Sequence, residues 1–179
     1  MKETWPRAFE QLIEHEGGFT SDERDPGNKM PDGRPGSTNL GVTQNVWEEY
    51  VGHEVTHEDM KRLTKADVEP LYKKQYWDTV RGDDLPFGVD YMVFDMGVNS
   101  GPGRAVRTLQ KAVGATPDGV IGPKTLQAIK DADPHDLIEN FSQARLEFMK
   151  SLKTWDVYGK GWERRVNEVA TLSESLARV

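Results

Sequence analysis

The chain has 179 residues, a formal net charge of −7, 36% apolar side chains and no cysteine. Such a chain suits one compact domain or two small lobes around a shared core; it excludes general disorder, a disulfide scaffold, thiol catalysis and cysteine-bound metal. Residues 1–70 hold 8 Lys and Arg against 15 Asp and Glu, whereas residues 71–179 hold 15 of each. An acidic front half argues against a nucleic-acid partner, whose phosphates must be met by Lys and Arg.

No apolar run approaches the roughly 18 residues that span a bilayer, so stable membrane insertion is not expected. The start, Met1 to Arg7, lacks the apolar core of a signal peptide, and nothing in it is expected to send the chain out of the cytoplasm. A first helix is read from Trp5, Phe9, Leu12 and Ile13, with Thr4 as its cap and Pro6 in its first turn. Gly17-Gly18 is expected to end it in the left-handed conformation. Glu16, four residues after Leu12, then lies beside the apolar stripe at the last turn, the setting of a general acid rather than of a freely solvated carboxylate.

Residues 18–45 are rich in turn signals (Asp25-Pro26-Gly27-Asn28, Pro31-Asp32-Gly33, Pro35-Gly36-Ser37), leaving room for short strands near Phe19 and over Leu40 to Thr43. Beyond them the pattern is helical. Pro70 is expected to start a helix bearing Leu71, Tyr72, Tyr76 and Trp77, and Val89 to Val98, apolar on nearly every face, reads as a buried helix. Further stripes follow: Ala105 to Val113, stopped by Gly114; Leu126 and Ile129 after Pro123; Leu137 to Leu152 after Pro134; and Trp162 to Leu176. The fold class expected is mainly α, a helical bundle with a small turn-rich β lobe.

Chemistry is concentrated early. Glu16 at a helix end is followed by a polar turn segment bearing Asp22, Asp25, Thr38 and Thr43. Glycoside hydrolysis needs two carboxyls in different surroundings, one holding a proton and one ionised. Glu16 is placed for the first role and Asp25, in an open turn rich in backbone donors, for the second. Later residues offer less specific signals. Asn99 could reach a sugar amide or hydroxyl or cap a helix end, and Trp47, Trp77, Trp155 and Trp162 could stack on sugar faces or fill the core. The basic residues Lys150, Lys153, Lys160, Arg164 and Arg165 could meet an anionic surface or line a solvated helix. His53-Glu54-Val55-Thr56-His57 matches the pattern of a zinc peptidase, two histidines a helical turn apart with a Glu base between them. Gly52 before it and Thr56 within it, a natural cap for His57-Glu58-Asp59-Met60, speak for a loop instead.

Several stretches together resemble glycoside hydrolase family 108, the phage-type N-acetylmuramidases. They are Glu16-Gly17-Gly18-Phe19, Asp25-Pro26-Gly27, Thr38-Asn39-Leu40-Gly41-Val42-Thr43, Tyr76-Trp77-Asp78, Phe94-Asp95, Val98-Asn99-Ser100-Gly101, Leu109-Gln110, Asp118 to Thr125 and Gly161-Trp162. Eight residues separate Glu16 from Asp25, the spacing of classical phage lysozymes, whose third element is a Thr. About eight residues near Lys29 to Ser37 depart from the pattern as an insertion before Thr38. The resemblance implies a lysozyme-like fold and cleavage of the β-1,4 bond between N-acetylmuramic acid and N-acetylglucosamine in peptidoglycan glycan strands. Glu16, Asp25 and Thr38 would be catalytic, Thr43, Asn99 and Trp77 would bind substrate, and no metal or cofactor would be needed. Residues 1–88 would form the catalytic segment and residues 89–179 a helical peptidoglycan-binding-like segment packed with it as one globule. Biologically it implies a monomeric bacteriophage endolysin, antimicrobial in effect. Such an enzyme waits in the host cytoplasm and reaches the periplasmic wall once a holin-type partner permeabilises the membrane. The alternatives are a zinc-dependent murein peptidase using His53, Glu54 and His57, and a non-catalytic wall-binding protein.

Overall fold

The computed structural model describes residues 3–178. They form nine α-helices and one two-stranded sheet, the mainly α architecture that the periodicity predicts. Among them no helix is long and apolar enough to cross a membrane. The chain divides into two compact units: residues 9–73 form one, and residues up to 8 together with those from 74 on form the other. The division differs from the boundary expected at residue 88. Trp5, Trp77 and Phe94 pack edge to face with centroids 5.3–5.6 Å apart, so segments on both sides of that boundary share one aromatic core.

Helix α1 runs over Thr4–His15, with Thr4 as its first residue rather than a flanking cap. It stops one residue before Glu16, whose N–H still reaches the Ile13 carbonyl at 3.1 Å. Gly17 and Gly18 are not left-handed, against expectation. The chain instead runs out extended into a bridge, where Thr20 and Thr38 exchange both backbone hydrogen bonds at 2.8 Å. Strands β1 (Thr38–Asn39) and β2 (Val42–Thr43) pair antiparallel, Thr38 opposite Thr43, with Leu40-Gly41 as the turn and not part of a strand. Helices α2 (Gln44–Val51), α3 (His57–Lys61) and α4 (Lys65–Tyr72) complete the unit. Thr56 with Asp59, and Thr64 with Asp67, form reciprocal capping boxes that start α3 and α4. The second box moves the expected start at Pro70 back to Lys65. Pro70 sits inside α4, and a π turn over Lys73–Trp77 follows it.

The insertion ahead of Thr38 closes on itself. Lys29 bridges Pro35, Met30 N–H donates to the Arg34 carbonyl, and Gly36 N–H donates to the Asn28 carbonyl at 2.7 Å. Asn28 and Gly36 are thereby adjacent, and the intervening residues form an excursion that leaves the surrounding chain undisturbed. Arg34 secures the loop: Nη2 meets Glu48 Oε2 of α2 at 2.7 Å, and Nε meets Asp32. The Arg34 guanidinium, with the Val55 N–H and Gln44 amide, holds the Glu48 carboxyl down at about 2.

In the larger unit, Pro102, Pro123 and Pro134 stand at the first positions of α6 (Pro102–Ala112), α7 (Pro123–Asp131) and α8 (Pro134–Lys150). The buried helix α5 (Val89–Ser100) packs against α6, α8 and α9 (Trp155–Ala177). Its Asp95 is fully buried and ion-paired to Arg145 of α8 at 2.7 Å and to Arg165 of α9 at 3.1 Å. Burial pushes the Asp95 carboxyl up, but the two guanidinium charges and their hydrogen bonds outweigh it and hold it below its ordinary value. The Asp118-to-Thr125 stretch builds a corner around buried Gln110. Its amide donates to Asp118, to the Val120 carbonyl and to Thr125, and its oxygen accepts from the Gly119 N–H.

Two predictions test these restraints. Asp95→Asn leaves Arg145 buried beside a neutral partner and should cost about 3–5 kcal/mol in denaturant unfolding. Glu48 is depressed in the folded chain, so its contribution is present above its ordinary 4.5 and is lost as pH falls toward about 2. The melting temperature should therefore fall across that interval, and Arg34→Ala should flatten that part of the profile.

Candidate active site

The β1–β2 turn is a tight two-residue connection with both residues left-handed, Leu40 at φ 50° and Gly41 at φ 76°. A leucine resists that conformation, so something must hold it there. The buried Tyr72 hydroxyl donates to the Leu40 carbonyl at 2.7 Å, fastening the turn to the end of α4. Gly41 has no room for a side chain: a β-carbon there would lie 2.5 Å from Tyr72 Oη and 2.7 Å from Glu16 Oε2. The Glu16 carboxylate therefore lies against the hairpin tip, half-buried beside backbone and a phenol.

Asp25 stands near the Thr38–Thr43 rung of the same hairpin. It caps a short 3-10 turn (Pro26–Asn28), its Oδ1 accepting the Gly27 N–H at 2.9 Å. Gly27 is the point where the predicted residues meet. A β-carbon built on it would fall 3.3 Å from Asp25 Oδ1, 3.3 Å from the Thr43 methyl and 3.8 Å from Thr38 Oγ1. Thr38 and Thr43 face each other across the ladder one rung beyond Asn39 and Val42. Gly41, in the turn, is two positions before Thr43, at most about 7 Å along the chain. One hairpin thus presses its tip on Glu16 and its second rung on the Asp25 turn. The folded-back insertion explains how Asp25 and Thr38, thirteen positions apart, come together.

The hydroxyls are already oriented. Thr38 Oγ1 donates to Asn28 Oδ1 at 2.7 Å, and buried Asn28 in turn donates to the Asp22 carbonyl. With its proton spent, Thr38 can offer lone pairs to a water. Thr43, expected to bind substrate, caps α2 by accepting the Val46 N–H at 3.3 Å. Asp22 is engaged by Arg24 at 2.7 Å.

Two other expected substrate contacts lie in the larger unit. Asn99, on the last turn of α5, is exposed and accepts from Arg145 Nη2 at 3.4 Å. Trp77 is fully buried against Trp5 and Phe94 and donates its indole N–H to Asp83, so it offers no face for sugar stacking. That expectation is corrected, because an indole edge-on to two rings belongs to the core. The zinc-peptidase pattern also fails in three dimensions. Gly52 ends α2 in the left-handed conformation, and His57 begins α3 after its Thr56 cap. His53 and His57 therefore share no helix and contact the Glu54 and Pro35 carbonyls respectively. Among the described residues no cluster of three or more His, Asp or Glu is placed to hold a metal ion.

Sequence reasoning missed Tyr72, Asn28 and the tightness of Gly27 and Gly41. Tyr72 reads as one more member of an apolar stripe, and nothing local says that its hydroxyl meets a turn thirty-two residues away. Asn28 carries only a turn signal in the sequence, although a buried Asn must find partners.

Comparison with known proteins gives the family. The sequence model described as glycosyl hydrolase 108 matches residues 9–101, and one described as a predicted peptidoglycan domain matches residues 104–167. No curated protein matches the chain. Among solved structures it is similar to SagA of Brucella abortus, with 38% identity and a TM-score of 0.86, over 100% of this chain and 98% of that one. The first match carries α5 with the hydrolase stretch, beyond the expected limit at residue 88. A match over more than half the chain, joined to a relative of the same length and fold, shows that this protein belongs to glycosyl hydrolase family 108 and is a peptidoglycan hydrolase.

Proposed function

We propose that the protein is an N-acetylmuramidase that cleaves the β-1,4 bond between N-acetylmuramic acid and N-acetylglucosamine, with Glu16 as general acid. The observation that carries this reading is the single hairpin whose tip meets the Glu16 carboxylate and whose second rung meets the turn of Asp25. Glu16 gives its proton to the glycosidic oxygen as the bond to the anomeric carbon breaks. Asp25, exposed to water, stabilises positive charge on the sugar or takes a proton from the attacking water. Thr38 accepts a hydrogen bond from that water, its own proton being held by Asn28. The sugar gains the hydroxyl of water, the leaving residue gains a proton, and the two carboxyls recover their starting states through solvent.

The biological setting we propose is that of a phage endolysin acting as a monomer. It would be held in the host cytoplasm until a holin-type partner opens the membrane, and it would then attack the periplasmic wall. The resemblance of its motifs to phage-type muramidases supports that setting.

Glu16→Gln should abolish lysis of chloroform-permeabilised Gram-negative cells and cut reducing-end release from sacculi by roughly 10²–10⁴-fold, with the circular dichroism spectrum unchanged. Near-normal activity would remove the assignment. Mass spectrometry of wild-type digests should find muramic acid at the new reducing ends; N-acetylglucosamine there would name the other glycan bond instead. Gly41→Ala forces a side chain into a left-handed site already filled by Glu16 and Tyr72. It should lower kcat by about a hundredfold with little change in KM, the effect of a misplaced acid. Tyr72→Phe should cost about 1 kcal/mol of stability and also slow turnover, since the Leu40 turn loses its clasp.

A further inference from the structure

The first turns of α9 carry an aromatic surface that the core does not require. The Trp155 ring lies flat on the backbone one turn on, where a β-carbon at Gly159 would fall 2.7 Å from it. Trp162 approaches it with centroids 6.3 Å apart, and Tyr158 stacks on Trp162 at 5.7 Å with planes 28° apart. The rings recur at helical spacing on one face. Tyr158 is 55% exposed and its neighbour Val157 74% exposed, so the ring stack ends in solvent. Lys150, at the end of α8, sets its ammonium 5.9 Å from the Trp155 ring. From Lys150 to Arg164 there are four cations, Lys150, Lys153, Lys160 and Arg164, against Asp156 and Glu163, in a chain whose net charge is −7.

We propose that this face of the larger unit, Trp155, Tyr158 and Trp162 with Lys150, is a binding platform for a peptidoglycan glycan strand, separate from the Glu16 chemistry. Pyranose rings present apolar C–H faces that stack on aromatic faces, as the exposed side of Tyr158 allows. The lactyl and stem-peptide carboxylates of murein supply the negative charge that the surrounding lysines complement. Three observations select a glycan over an anionic bilayer. The rings are stacked into one platform rather than splayed as separate apolar wedges, the chain as a whole is acidic, and the face lies within the residues 104–167 matched by the peptidoglycan domain. The inference rests on the peptidoglycan reading of the substrate and adds where, outside the catalytic hairpin, the strand is held.

The test uses the full chain in the inactive Glu16→Gln background and follows co-sedimentation with purified sacculi and tryptophan fluorescence. Tyr158→Ala combined with Val157→Ser changes exposed side chains only, and it should weaken sacculus binding by roughly five- to tenfold and remove the fluorescence change on binding. Lys150→Glu should weaken binding more at low salt than at high salt. Unchanged sacculus affinity in both variants overturns the proposal. So does loss of binding to vesicles of phosphatidylethanolamine and phosphatidylglycerol while sacculus binding persists, which would make the face a membrane contact. Assaying the Glu16-bearing chain in parallel separates the two readings. No reducing ends with Tyr158-dependent sacculus binding refutes the hydrolytic mechanism alone, whereas reducing-end release with Tyr158-independent binding refutes the platform alone.

Discussion

A carboxylate pressed against a hairpin turn that has no space for a side chain is the contact on which the proposed chemistry depends. The Glu16 oxygen and the Tyr72 hydroxyl both occupy the volume that a β-carbon on Gly41 would need. An acid can be aimed only if what lies behind it does not move. Here the backing is backbone, fixed by a ladder, a left-handed turn and a phenol hydrogen bond. The strained φ of Leu40 is maintained because the surrounding bonds over-determine it, as expected where geometry serves function.

The same economy of space governs the second carboxylate. Gly27 admits Asp25, Thr38 and Thr43 to a common point, and Asn28 commits the Thr38 proton, leaving its oxygen as an acceptor. The loop over Lys29 to Gly36 closes through its own backbone bonds and an Arg34–Glu48 ion pair, so its length never reaches the residues it separates. Insertions of this kind are cheap because closure entropy grows slowly with length once the ends are held.

In the larger unit one buried carboxylate does the organising. Asp95 faces guanidinium groups from α8 and α9, so three helices share a charge cluster that tolerates few alternative packings. The corner around Gln110 shows a neutral version of the rule, with four hydrogen bonds from one buried amide holding a turn. These devices let motif residues such as Asp118 and Gly119 be structural while Tyr158 near the start of α9 stays exposed.

What could be known from the sequence was whatever is written locally. Stripes at helical spacing, prolines at first positions and Thr56 as a cap follow from interactions within a few residues, and so α3 and α6 to α9 were legible along with the apolar run of α5. Glu16, Asp25 and Thr38 stood out as candidates through their residue types, spacing and family likeness. The end of α1 was misjudged because glycine permits a left-handed cap without requiring one, and the distant Thr20–Thr38 bridge claimed the chain first. Trp77 was misread because an indole looks alike in sequence whether it stacks on sugar or on Trp5 and Phe94. Tertiary structure alone decided that Gly27 and Gly41 are close-packed, that Tyr72 clasps the turn and that Arg145 and Arg165 converge on Asp95. Each is a meeting of side chains far apart along the chain, and no local propensity encodes such a distance.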